Sequence, residues 1–191
     1  MARAQDFISS INTAIASDLA SPSSRIHAFF ANNISGGWEA WLQVEAARQI
    51  IADGKAADFQ RECSFPAPGG VGVMGGMKCD LVMQPARGQQ IFIELKTQRN
   101  AAYARHVRDF TDDVDKIRGL GPAWNATYPA IAMVCMQANQ AAFQAIFTAL
   151  NRTDCDLWVR QADNSFKAGK LSQAVTTGWA NQFAIVAYSN S

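Results

Sequence analysis

The chain has 191 residues, 49% of them apolar and 17% charged, and its formal net charge is +1. This composition excludes a disordered chain and suits one domain with a sizeable core. The near-neutral charge excludes bulk electrostatics as the means of holding nucleic acid, so such a contact needs a local basic patch. No uninterrupted apolar run approaches membrane-spanning length, and the start MARAQDFISS lacks the cationic-then-apolar order of a signal peptide. A cytoplasmic protein is expected, with delivery by a signal-independent route left open. Cys63, Cys79, Cys135 and Cys155 form no C-x-x-C pair. They are expected as reduced, mostly buried residues and not as zinc ligands.

Phe7, Ile11, Ile15 and Leu19 recur at every fourth residue and predict an amphipathic helix, which Ser21-Pro22-Ser23-Ser24 breaks. Ser35 is a candidate cap for a second helix over about Gly36–Ala52, closed near Gly54. Phe59–Phe65 reads as a strand. Pro66–Met77 holds five glycines and two prolines and is expected as a loop. Strands follow near Lys78–Gln84 and Gln90–Thr97, then a helix from about Asn100 to Arg118, stopped at Gly119-Leu120-Gly121-Pro122. Pro129–Gln137 is a buried strand by its continuous apolar character. Asn139 is placed to cap a helix carrying Phe143, Ile146, Phe147 and Leu150 on one stripe. Short strands near Cys155–Arg160 and Gln182–Tyr188 complete an α+β chain: a mixed β-sheet flanked by helices.

The segment CDLVMQPARGQQIFIELKTQ carries the chemistry. Strand alternation places Ile91, Ile93 and Leu95 on one face and Phe92, Glu94 and Lys96 on the other. Asp80, Val82 and Gln84 alternate in the same way on the preceding strand. Ala86-Arg87-Gly88 fits a three-residue hairpin loop, with Gly88 in the left-handed position. That loop pairs Pro85 with Gln89 and so sets Asp80 opposite Glu94, with Cβ atoms roughly 5 Å apart. Two carboxylates that close favour a cation between them, and Mg2+ suits two acids plus water and a phosphate. Lys96 on the same face is placed to orient or deprotonate a water, or to stabilise developing negative charge. These are the parts of metal-assisted phosphodiester hydrolysis. A bare E-x-K is also common as a solvated pair on an ordinary sheet. The opposed Asp80 is what sets this instance apart.

With Cys79-Asp80, then Glu94-Leu95-Lys96, and a helix on either side, the chain resembles the PD-(D/E)XK nuclease superfamily over roughly residues 36–136. The resemblance implies a restriction-endonuclease-like fold: a single nuclease-like domain over 1–191, with residues 1–34 as an N-terminal helical extension. It implies that Asp80 and Glu94 bind Mg2+ (with Mn2+ able to substitute), that the carbonyl of Leu95 adds a ligand, and that Lys96 is the catalytic lysine. Cys79 stands where the nominal motif has proline. Members of this superfamily often add an acid from the helix ahead of the sheet, which here offers Glu39 and Glu45. Glu45 is preferred, because it lies within the stripe of Trp38, Trp41 and Leu42, where an acid must be paired, metal-bound or protonated. The competing reading of Glu45 is an ion pair with Arg48. Glu39, in the first turn, already suits the helix dipole.

Arg99 and Arg105 are candidates for holding DNA phosphates, against the plainer reading of a solvated helix face. His27 and His106 sit in no metal-ligand spacing, and no G-x-S-x-G elbow is present. The expected activity is a Mg2+-dependent DNA endonuclease of restriction-enzyme type, serving defence, repair or antibacterial toxicity. RNA remains an alternative substrate. Double-strand cutting would favour a homodimer, and the toxin or defence roles would bring an immunity or modification partner. The alternative is a non-catalytic nucleic-acid- or protein-binding module of the same fold.

Overall fold

A computed structural model describes residues 4–31, 37–67, 72–98, 103–161, 163, 165–177 and 182–190. Three helices come first: α1 (Ala4–Ala20), α2 (Arg25–Ala31) and α3 (Gly37–Ala52). Then follow β1 (Asp58–Pro66), β2 (Val73–Gln84), β3 (Ile91–Thr97), α4 (Tyr103–Gly119), α5 (Pro122–Thr127), β4 (Ala130–Ala138), α6 (Gln140–Ala149), β5 (Asp156–Arg160), β6 (Phe166–Lys170), α7 (Leu171–Thr177) and β7 (Gln182–Ser189). The strands form one mixed sheet in the order β1-β2-β3-β4-β7-β5-β6. Among the described residues, only β3 and β4 pair in parallel, and no helix is long and apolar enough to cross a membrane.

Both faces of the sheet are covered, and strand alternation sorts the core into two layers. Leu81, Met83, Ile91, Ile93, Leu95, Ile131 and Met133 pack with Phe7, Ile8, Ile11 and Ile15 of α1 and Trp38, Leu42 and Ile50 of α3. Val82, Phe92, Ala132, Val134 and Met136 pack with Val107, Phe110, Val114 and Ile117 of α4 and with Phe143 and Ile146 of α6. The spacing of the α4 residues forms a single stripe, so that helix lies along the sheet. α1, within the stretch expected as a helical extension, packs into the core: Phe7, Ile8, Ile11 and Ile15 are completely buried. Asn139 caps α6 as expected, its side chain accepting from the Ala142 N–H at 3.1 Å.

The glycine-rich segment departs from expectation. Residues 68–71 lie outside the described residues, but Val73–Met77 is not loop: it begins β2, which pairs back onto β1. Glycine weakens a strand without removing its N–H, so the ladder to β1 survives. β6 and the short helices α2, α5 and α7 were not apparent from periodicity. β6 is an edge strand whose only large apolar side chain is Phe166.

The β2–β3 register is the one the three-residue turn dictates: Leu81 faces Ile93, Val82 faces Phe92 and Met83 faces Ile91, with Gly88 at φ 107°. The same register carried one residue on sets Asp80 across from Glu94. On the other side of β2, the flanking pairs Arg61–Leu81 and Cys63–Cys79 set Glu62 across from Asp80. Glu62 has φ 54°, and its neighbours on β1 are regularly paired. An L-residue in the left-handed region costs about 1–2 kcal/mol, part of which glycine returns as lost chain entropy. Glu62→Gly is therefore expected to stabilise the protein by about 0.5–1 kcal/mol in urea unfolding. A destabilised variant would show that the Glu62 side chain has a role that outweighs its backbone strain.

Candidate active site

β3 delivers Glu94 and Lys96 to the α4 side of the sheet, β2 delivers Asp80, and α4 lays Asp113 and Lys116 over them. The Asp80 carboxylate does two things. Its Oδ2 accepts the Leu95 N–H at 2.7 Å, and it lies 3.4 Å from the Lys96 ammonium. A side chain thus takes the place of a ladder partner where the β2–β3 pairing ends. In a strand, a residue's N–H and C=O leave the backbone on the same side, so the Leu95 carbonyl also points toward β2 and not toward β4. Lys96 Nζ lies 3.4 Å from Asp113 Oδ2 as well. Lys116 Nζ lies 3.1 Å from Asp113 Oδ1, forms an ion pair with Glu94 Oε1 and donates to the Lys78 carbonyl at 3.1 Å.

Burial makes these charges matter. Glu94 is 2% exposed and Asp113 is 7% exposed. Burial, reinforced by the Asp113 charge and opposed by Lys116, pushes the Glu94 carboxyl up to about 8. Burial likewise raises Asp113, against the pull of Lys96 and Lys116. For Lys96 burial works downward, but the charges of Asp113, Asp80, Glu39 and Glu94 outweigh it and hold the ammonium well above the lysine range. Lys96 is therefore a fixed positive charge. Of the roles open to it, charge stabilisation fits and proton abstraction does not.

The structure does not bring Glu45 to this cluster. It is paired with Arg48 at 2.9 Å and lies 3.8 Å from Arg25, beside Trp41 on the side of α3 that faces the α1–α2 turn. Each residue turns a helix by about 100°, so the six steps from Glu39 to Glu45 leave the two acids roughly 120° apart, on different sides of α3. Glu39 is the acid that reaches the hairpin, its Oε2 accepting the Thr97 N–H at 3.3 Å. Arg99 lies outside the described residues. Arg105 is exposed on α4 and spends its charge on Asp109 at 3.6 Å. Asp113 and Lys116 escaped sequence reasoning. Their signal was present: two charged residues at i, i+3 flanked by the stripe Phe110, Val114 and Ile117.

Nucleophilic cysteine chemistry finds no support here, because burial pushes the Cys79, Cys135 and Cys155 thiols up. For a divalent cation the donor chemistry fits: Asp80, Glu94, Asp113 and the Leu95 carbonyl offer only oxygen, as Mg2+ prefers. Among the described residues, however, no three acids converge as a ready-made ligand set. The ammonium groups of Lys96 and Lys116 stand between them.

An unfolded glutamate titrates near 4.3, and Glu94 in the fold near 8. Between these values the unfolded chain releases a proton that the native state keeps, so stability falls as pH rises. In the presence of a chelator, Glu94→Gln should gain on wild type by a few kcal/mol between pH 5 and pH 8 in urea unfolding. A difference that stays flat over that range would mean the Glu94 carboxyl is ionised throughout.

No family model matches the chain, and no curated protein or solved structure shows significant similarity to it. The chemistry of the cluster rests on its own geometry.

Proposed function

We propose that this protein is a divalent-metal-dependent nuclease with a restriction-endonuclease-like fold, and that DNA is its substrate. The observation that carries the reading is the buried Glu94 beside Asp80 and Lys96 on adjoining strands. An acid so thoroughly buried, with a second acid across the ladder, ionises only where positive charge faces it, and a divalent cation would meet that need. Asp80 and Glu94 would hold Mg2+ or Mn2+, with the Leu95 carbonyl and Asp113 completing the oxygen set. Bound there, the ion would supply Lewis-acid stabilisation of a phosphodiester oxygen and a lowered pKa for an attacking water.

The residues of the chain do the rest. Lys96, kept charged by its acidic surroundings, stabilises negative charge as it builds on the phosphate. Asp80 fixes the end of β3 by gripping the Leu95 N–H, which sets where Glu94 and Lys96 stand. Glu39 takes over the role of helix acid expected of Glu45, acting through the Thr97 N–H and the field it places on Lys96. A homodimer and an immunity or modification partner belong to this reading as proposals. One observation favours the second reading, a non-catalytic module that binds nucleic acid or protein. The acids are already neutralised by Lys96 and Lys116, as in a purely structural ion network.

Nicking of supercoiled plasmid with and without Mg2+ separates the two. Wild type is expected to nick only with metal, and Lys96→Ala or Glu94→Ala to lose at least about a hundredfold in rate while remaining folded. Undiminished cleavage by either variant would overturn the assignment, and an inactive wild type would leave the binding module. Glu39→Gln is expected to slow cleavage by roughly tenfold or more, and Glu45→Gln to leave the rate near wild type. The reverse order would return the role to Glu45.

A further inference from the structure

The two lysines of the cluster are held very differently. Lys96 lies at 3.4 Å from both of its acids, beyond the span of a strong charge-assisted hydrogen bond. Lys116 is enclosed. Its three donors face three oxygens from three elements: the Lys78 carbonyl of β2, Glu94 Oε1 of β3 and Asp113 Oδ1 of α4. The ring of Phe65 stands behind it, 5.6 Å from the ammonium to the ring centre. One carbonyl and two carboxylates around a single positive charge, in a largely buried place, is also the donor set a hard dication takes.

Electrostatics point the same way. A dication seated on the oxygens that Lys116 now holds would meet a like charge at hydrogen-bond distance, so the ion and the ammonium cannot share the place. The Lys116 side chain is 22% exposed, and its flexible four-carbon stem lets the ammonium swing out without moving α4.

We propose that Lys116 is the resident surrogate of the divalent cation: it occupies the oxygens of Glu94 and Asp113 in the metal-free protein and must leave them for metal to load. This rests on the metal-dependent reading above. Lys116 is a positioning residue in this scheme. It keeps the acids gathered and the fold intact until the ion arrives, and it sets the metal concentration at which the site fills.

The test is calorimetric titration of Mn2+ into the metal-free full chain, for wild type, Lys116→Met, Lys116→Arg and Lys78→Met. Lys116→Met is expected to bind Mn2+ roughly tenfold or more tightly than wild type, and Lys116→Arg no more tightly than wild type. Lys78→Met, which removes an exposed charge nearby but leaves its carbonyl in place, should alter affinity much less. Melting curves supply the second readout: metal-free Lys116→Met should melt below wild type, and Mn2+ should raise its midpoint by more. If Lys116→Met is unfolded without metal, refolding on addition of Mn2+ supports the surrogate, and failure to refold overturns it. Wild type and Lys116→Met binding equally well, or the variant binding more weakly, overturns the surrogate while leaving the metal-dependent reading in place. The surrogate falls in the same way if Lys78→Met tightens binding as much as Lys116→Met. Mn2+ binding by Lys116→Met alone would support the surrogate in its strictest form. No binding by any of the four proteins would overturn both readings.

Discussion

A carboxylate in an interior strand of a sheet covered on both faces has to meet its counter-charge on the spot, and Glu94 is the point on which this molecule turns. Its neighbours on β3 are all buried apart from the half-buried Lys96. Water cannot solvate it, so the protein must. Lys116 reaches it from α4, against the opposing charges of Asp113 on the same helix and Asp80 on β2. Remove that obligation and there is little reason for the α4 stripe to carry charge at all.

The obligation also explains why α4 sits where it does. A helix packed by Phe110, Val114 and Ile117 alone would be free to slide along an apolar sheet, because such packing tolerates rearrangement. Lys116 pins it, with one contact to β2, one to β3 and one to its own helix. On the opposite face, α1 and α3 pack against the sheet through apolar side chains such as Phe7, Ile11, Trp38 and Leu42. The charged cluster lies on the α4 side, while α3 adds polar contacts of its own at the end of β3, from the Trp38 Nε1–H to the Gln98 carbonyl and from the Thr97 N–H to Glu39.

What the sequence made legible follows from the range of the forces involved. The hairpin register could be read because turn length and alternation are local, and one glycine fixes the turn. α4, β4 and the α6 cap could be read because period and capping act over a few residues. Asp113 and Lys116 could not be joined to Glu94, because that contact is a matter of which helix crosses which strand. Where Glu39 and Glu45 would each point could not be read from the sequence for the same reason. Both lie on one helix, but α1 covers one flank of α3 and the end of β3 meets another, and nothing within residues 37–52 says which is which. The glycine-rich stretch misled because composition reports chain entropy, whereas the edge pairing of β2 with β1 depends only on available N–H and C=O groups.

The seating of α1 has a practical side. Phe7, Ile8, Ile11 and Ile15 have no exposed surface, and each such side chain is worth about 1.5–3 kcal/mol against water. Together that is on the order of the entire margin by which a domain of this size stays folded. The opening helix is therefore a floor beneath the sheet, and a minimal version trimmed to begin at the hairpin or at α3 would stand on exposed grease. Anyone engineering this chain should keep α1 whole.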